Sequence, residues 1–343
     1  MYDVISFGTA TLDVFLRSPG MEIGGMNGEK DICVRYGAKL EVNEIYFDYG
    51  GGGTNSAVTF ARQGLKVASV VQVGDDDNGK KILADLRKEG VDTSLVDVQS
   101  GYTDYSTVLW APDGGRTILV YRGNTRLEVE NVAWDKLSAK WFYISSLEGN
   151  LDIVEKLKVQ KLVLSLPSEA NFQIAWNPGA RELKQRERLL ELLPGITVLN
   201  LNREEMGELL GEGEKWVVGR EVGVRMGGIN ELLKKAQELP CEYVVITDDR
   251  RGAYLWSKAT ATWWHSGIFE DSPRYETTGA GDAFGSALVT GLIKGESLEN
   301  CLYLATANAS SVVSQVGAKK GILPISGLSR WPKQKLKIDK MVF

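Results

Sequence analysis

The chain has 343 residues, with 40 Lys or Arg against 45 Asp or Glu, a net charge of −5 at pH 7. That balance excludes a nucleic-acid binder that works by bulk charge, and no apolar run approaches the roughly 20 residues that a membrane-spanning helix needs. An apolar fraction of 43% beside 25% charged residues leaves material for a sizeable core in a soluble α/β protein of one or two domains.

The opening residues MYDVISFGTATLDVFL carry no basic leader and no small-residue cleavage site, and read as a core strand with a break at Gly8. Residues 29–49 read as two short amphipathic strands that cannot bury both faces alone, and so as a small β-sheet lid outside the main sheet. Gly50 to Gly53 then lead into a helix with Ala57, Val58, Ala61 and Leu65 on one face and Thr54 or Asn55 as its cap. KVASVVQVG follows as a strand and DDDNGKKILADLRKEG as a helix. Residues 105–122 read as a hairpin turning at Asp113–Gly114, its second strand joining the lid or the sheet edge.

Beyond residue 140, WFYISSL, KLVLSL, FQIAWN, ITVLNL and EYVVITD read as strands, and RELKQRERLLELL, EEMGELL and INELLKKAQEL as helices. The alternation predicts a mostly parallel sheet with helices on both faces. Residues 211–228 read as a Gly-rich inserted loop. The single histidine, His265, sits in the strand-like ATWWHSG, which sets aside Ser-His-Asp and Cys-His chemistry. Cys33, Cys241 and Cys301 are far apart and lack metal-finger spacing, so free thiols in a reducing cytoplasm are expected. Two apolar helices close the chain, one starting near Gly281 and one within SLENCLYLATANASSVVSQVG. The expectation is one domain over 1–330 and a solvated tail over 331–343.

The most informative stretch is YETTGAGDAFGS, Tyr275 to Ser286. Glycines at 279 and 281 let successive backbone N–H groups point into one hollow at the first turn of a helix, where amides are unpaired and the dipole is positive. A phosphate fits there without a lysine, and Asp282 stands beside it as a proton acceptor. Phosphoryl transfer is the chemistry that uses both. A glycine-rich turn before a helix is equally an ordinary N-cap. GAGDAFG matches neither G-x-G-x-x-G nor a Walker A loop.

Together, TTGAGDAF, GGGGTNSAVTFARQG followed by VGDDDNGKK, and NREE at Asn202 to Glu205 resemble, in order, the motifs of the ribokinase-like (PfkB) carbohydrate kinases, over roughly residues 2–325. The resemblance implies a three-layer sandwich with a mostly parallel central sheet, and an ATP-dependent kinase acting on a hydroxymethyl group of a pentose or ketohexose. It makes Asp282 the catalytic base and Gly279, Ala280 and Gly281 the anion hole. Asp13, Gly51, Asn55 and Glu148 match its sugar contacts, with Gly52 where ribokinases carry Lys. Asn202 and Glu205 match the Mg²⁺–phosphate end of ATP, Glu205 acting on Mg²⁺ through water. Thr247, Gly252 and Asn308 match the nucleotide site, where Asp249 must point outward or meet a cation. Glu276, Thr278 and Gly317 fall where the family holds a monovalent cation, K⁺. The lid implies a clasp that excludes water and pairs two chains as a homodimer, with Ile32, Val34, Ile45 and Phe47 as its apolar surface.

Three alternatives stand beside the sugar kinase. A nucleoside kinase would want an aromatic wall, which Tyr105, Trp110 and Tyr121 could form. A sugar-phosphate kinase needs basic residues at the substrate end, where Arg122 is the candidate. A catalytically dead sugar- or nucleotide-binding regulator is the third.

Overall fold

The computed structural model describes residues 1–25, 31–111, 116–164, 172–212, 214–218, 221–225 and 228–341. Its nine-stranded sheet runs in the order Ile338–Met341, Thr262–Ser266, Ala253–Ser257, Tyr243–Thr247, Val198–Asn202, Gln173–Trp176, Ala139–Ile144, Tyr2–Phe7, Val67–Val70. The run from Val67–Val70 across to Tyr243–Thr247 is parallel, and the strands beyond it are antiparallel.

The two-residue period of each strand sorts the core. Val4, Tyr143, Ala175, Val198 and Val245 pack on one face against Ala57, Phe60, Ala283, Leu288 and Leu302 of the helices Gly52–Arg62, Ala280–Ile293 and Leu298–Val313. Their neighbours Ile5, Phe142, Ile174, Leu199 and Val244 pack on the other against Ile153, Leu157, Met206 and Leu233 of Asp152–Leu164, Arg203–Leu210 and Ile229–Ala236. The result is the expected α/β/α sandwich. Each fully buried large side chain contributes about 1.5–3 kcal/mol of transfer free energy.

The lid is larger than the sequence suggested. It is a four-stranded sheet in the order Arg116–Tyr121, Asp104–Trp110, Thr11–Arg17, Glu44–Gly50. The N-terminal strand ends at the Gly8 break as expected, with Tyr2–Phe7 in the central sheet, whereas the apolar residues after the break form Thr11–Arg17 in the lid. Hydrophobic alternation is alike in both sheets and cannot assign a strand to one of them. The hairpin's second strand joins the lid. Of the two strands expected in 29–49, Glu44–Gly50 belongs to the lid, whereas Asp31–Cys33 pairs with Glu22–Gly24 in a separate ribbon. The turn at Asp113–Gly114 lies outside the described residues.

Other elements also differ from expectation. Lys161–Leu164 of KLVLSL form the last turn of the helix Asp152–Leu164, because Ile153, Val154 and Leu157 extend the apolar pattern backward at helical spacing. The remaining Ser165 and Leu166 lie outside the described residues. RELKQRERLLELL is interrupted, giving Ala180–Leu183 and Arg186–Leu192. Residues 211–228, expected as a loop, contain the antiparallel strands Glu214–Val218 and Glu221–Arg225. The cap of Gly52–Arg62 is Gly51, so Thr54 and Asn55 lie inside the helix. The tail is not merely solvated, because Ile338–Met341 extends the central sheet beside Thr262–Ser266. Among the described residues no helix is long and apolar enough to cross a membrane.

Candidate active site

In open parallel sheets the crevice lies outside the carboxyl ends of the strands. Here Tyr2–Phe7 hands over to Gly8 and Thr9, Ala139–Ile144 to Ser145 and Glu148, Val198–Asn202 ends in Asn202, and Tyr243–Thr247 ends in Thr247. The helix Ala280–Ile293 begins beside these ends, capped by Gly279 at φ 76. The Ala280 N–H donates to Thr277 O at 3.2 Å, whereas the amides of Gly279, Gly281 and Asp282 have no backbone acceptor among the described residues. Of the three expected amides, those of Gly279 and Gly281 remain open at the positive end of a helix, the Asp282 amide joins them, and Ala280 drops out. Gly279 is fixed twice over, by its left-handed backbone and because a Cβ there would lie 2.6 Å from Ala318 Cβ. Gly279→Ala is therefore expected to lower stability by about 1–3 kcal/mol and to reduce turnover through the displaced amides, read by denaturant melts and steady-state kinetics.

Asp282 sits on the first turn of that helix with an accessible edge. Its Oδ2 accepts a hydrogen bond from Asn55 Nδ2 at 2.9 Å, while Asn55 Oδ1 is buried without a partner. Burial pushes the Asp282 pKa up, and the Asn55 hydrogen bond opposes that shift. A Cβ on Gly52 would stand 3.2 Å from Asp282 Oδ1 and 2.7 Å from Ser145 Oγ, so the bare backbone at 52 keeps the approach to the carboxylate open. Tyr143 was invisible as a site residue because its strand reads as core. Its phenol is buried without a hydrogen-bond partner, and burial and then the Asp282 charge push its pKa well above the usual value.

Asp13 lies in the lid strand Thr11–Arg17, buried, with Ser106 Oγ donating to its Oδ1. Burial raises its pKa to about 7 against the Ser106 hydrogen bond, with the Asp48 charge adding to the rise. Gly51, at φ 93, brings its backbone so close to Thr9 that a Cβ would lie 2.4 Å from Thr9 O. The Gly50–Gly53 turn therefore links Thr9, Asn55 and, through the Asn55–Asp282 hydrogen bond, the Gly279–Asp282 turn.

Glu148, at φ 58, pairs with Arg122 at 2.8 Å, and Arg122 pairs in turn with Asp104 at 2.9 Å. Arg122 therefore braces the hairpin between two carboxylates. Glu148 and Asp104 line a cavity of about 240 Å³ with Thr9, Ala10, Arg126 and Arg181. Sequence reasoning missed both of those arginines. They stand 55 positions apart, and only the fold brings them to one cavity. Tyr105, Trp110 and Tyr121 do not line it. Trp110 instead lies under the Arg17 guanidinium, 5.2 Å from the ring centre.

On the other side of the turn, a cavity of about 140 Å³ is lined by Thr247, Gly252, Gly281, Phe284, Ala309 and Val313. Asp249 also borders it, and its charge meets Arg274 at 3.2 Å. Asn308 does not reach this cavity. Its Nδ2 donates to Ala283 O at 2.9 Å and its Oδ1 accepts from Leu323 N at 2.8 Å, so it ties two helices and a loop together.

Asn202 and Glu205 form a capping box: Glu205 N donates to Asn202 Oδ1 at 2.8 Å and Asn202 N to Glu205 Oε2 at 2.9 Å. No hydrogen bond occupies Glu205 Oε1 among the described residues. Burial pushes the Glu205 pKa up. Among the described residues no group of three or more acidic, His or Cys side chains could cage a metal. One carboxylate oxygen without a hydrogen bond nevertheless suits Mg²⁺, which keeps several waters and takes few protein ligands.

The residues expected to hold K⁺ do not fit it in this arrangement. Glu276 Oε1 accepts from Thr278 N at 2.8 Å and lies 3.3 Å from the Arg116 guanidinium. Gly317 lies against the lid, where a Cβ would fall 2.3 Å from Asp48 Oδ2, a negative group that does not itself oppose a cation.

The family model described as pfkB family carbohydrate kinase matches residues 3–325. A 5-dehydro-2-deoxygluconokinase of Shouchella clausii is 26% identical over 338 residues, covering 95% of this chain and 94% of its own length. Two ribokinases of known structure share the fold at 20% identity. That of Thermotoga maritima has a TM-score of 0.74 and covers 96% of this chain and 99% of its own. That of Arabidopsis thaliana, complexed with ribose and ATP, has a TM-score of 0.73 and covers 96% and 98%.

Proposed function

The chain belongs to the pfkB family of carbohydrate kinases, and we propose that it transfers the γ-phosphoryl group of ATP to a hydroxymethyl group of a sugar, with Asp282 as general base. One observation carries this reading: Asp282 and the open amides of Gly279, Gly281 and Asp282 stand at one helix mouth, where Gly281 borders an apolar-floored cavity, while Gly8, Thr9 and Glu148 at the neighbouring strand ends line a separate polar cavity. The sugar is bound by Asp13, Asn55 and the Gly51 backbone. Its hydroxyl gives its proton to Asp282 as its oxygen bonds to the γ-phosphorus, and the bond to the β-phosphate oxygen breaks to release ADP. The open amides hold the charge of the transferred group. Thr247 and Gly252 border the nucleotide. Mg²⁺, when bound near Glu205 through water, neutralises phosphate charge. The lid seats over the sugar and excludes water.

The exposed Ile45 and Phe47 of the lid support a homodimer through that sheet. Three free thiols and ATP as donor support a cytoplasmic setting. A nucleoside is disfavoured, because among the described residues no aromatic side chain lines the polar cavity.

Arg126 and Arg181 favour a second reading within the same activity, in which the sugar carries a carboxylate at the end remote from the reacting hydroxyl. The S. clausii relative is named for a gluconate-type acid, which supports it. The test is ADP release with D-ribose, D-fructose, 5-dehydro-2-deoxy-D-gluconate and adenosine. The acid is expected to give the highest kcat/KM, and Arg126→Ala and Arg181→Ala each to raise its KM by roughly tenfold or more while changing KM for a neutral sugar little. A best substrate without negative charge overturns the acid reading. Sugars that raise Tm with no turnover of any substrate identify a regulator instead.

A further inference from the structure

The turn that carries the open amides is held from the lid. Arg116 opens the strand Arg116–Tyr121 and reaches across to Thr277 Oγ1 and, at 3.3 Å, to Glu276 Oε1. Glu276 is 4% exposed, and its other oxygen is buried without a hydrogen-bond partner. Among the described residues Arg116 is its one cationic partner. Glu276 in turn accepts from the Thr278 amide, and Thr277 O accepts from the Ala280 amide, two residues before Asp282. A buried carboxylate needs a counter-charge, and without one it draws in a proton or a cation. A second cation beside this carboxylate would be repelled by the guanidinium already there.

We propose that Arg116 is a positioning residue that does the work of a bound monovalent cation: its guanidinium neutralises Glu276, fixes the 276–280 turn and makes the enzyme independent of K⁺. The inference rests on the kinase reading above. It adds that the counter-charge comes from a strand of the lid sheet rather than from a bound ion, so the lid and the turn are tied together by Arg116.

The experiment compares wild type, Arg116→Met and Arg116→Lys in choline chloride and in KCl at equal ionic strength, with turnover and Tm measured in parallel. Wild-type kcat is expected to be the same in both salts within twofold. Arg116→Met is expected to lose roughly tenfold to a hundredfold in kcat in choline chloride, with KM for ATP and sugar little changed, and to recover most of the loss in KCl. Arg116→Lys keeps a cation in place and retains most of the activity without K⁺. In the substrate-free protein, KCl raises the Tm of Arg116→Met and leaves that of wild type unchanged, since an ion that binds only the folded state stabilises it. Strong K⁺ activation of wild type overturns the proposal. So does an Arg116→Met variant with wild-type kcat, or one whose loss is indifferent to K⁺. If wild type turns over no substrate, the kinase reading fails, and the Tm comparison still decides the cation question by itself.

Discussion

Asp282→Asn is expected to lower kcat by roughly a thousandfold while leaving the fold intact. The amide is close to isosteric and still accepts the hydrogen bond that Asn55 Nδ2 makes at 2.9 Å. What it loses is proton affinity, and the attacking hydroxyl then has no acceptor within the site, because Tyr143 is held protonated and Glu205 belongs to the capping box. The open amides are backbone groups and survive the change, so residual turnover and nucleotide affinity remain. The pH dependence has a definite sign. A base works ionised, and burial has moved the Asp282 pKa above the usual carboxylate range. Wild-type kcat therefore falls with decreasing pH along a limb displaced upward from that range. The same shift makes the ionised group a burden on the folded state. A folded pKa raised above the unfolded one removes stability as pH rises through the interval between them, so the neutral substitution should leave Tm at pH 8 no lower than that of wild type. Circular-dichroism melts and a pH–rate profile check both halves. Near-normal kcat in the variant removes Asp282 as the base.

Much of this was legible in the sequence, for a physical reason. An anion-binding turn is made of main-chain amides, so its requirement is for glycine at set places in a continuous stretch, and the stretch from Thr277 to Phe284 shows it. The same holds for Gly50–Gly53, where side chains would strike Asp13, Thr9, Ser145 and Val71 in turn. The parallel sheet was readable because buried strands alternating with amphipathic helices have few other solutions. Charge pairs across the fold were not legible. Arg116 and Glu276 are 160 positions apart, and neither has an unusual local context. Arg126 and Arg181 reach one cavity only after the lid hairpin and the central sheet are both in place. Asn308 shows the opposite difficulty: its helix was read correctly, but a run of small residues does not say which of Asn308, Ala309 and Ser310 turns toward the cavity that Ala309 and Ser310 line. The run KLVL shows the ambiguity of short apolar segments, which periodicity over four residues cannot assign to strand or helix.

Asp13→Asn should stabilise the protein and disable it at once. Ionised Asp13 is buried in the lid, and its pKa is raised from 3.8 to about 7. Well below pH 4 the carboxyl is protonated in both states and imposes no penalty. As pH rises toward 7 the unfolded chain gives up the proton while the folded chain holds it, and stability is lost across that window. Above pH 7 the full penalty is present, on the order of 4 kcal/mol at most. The amide carries no charge and still accepts from Ser106, so the variant should melt several degrees above wild type at pH 8, with the difference vanishing near pH 4. Sugar recognition moves the other way. A carboxylate can accept from two hydroxyls, whereas an amide offers one acceptor and one donor, and kcat/KM should fall by roughly tenfold to a hundredfold. Sugar binding to wild type should also strengthen as pH rises through 7, because the acceptor form is the ionised one. Melting curves between pH 4 and 8, set beside kcat/KM over the same range, separate the two effects. A variant that melts below wild type at pH 8 means that the Asp13 charge is compensated in the folded protein. An unchanged kcat/KM means that no sugar hydroxyl reaches it.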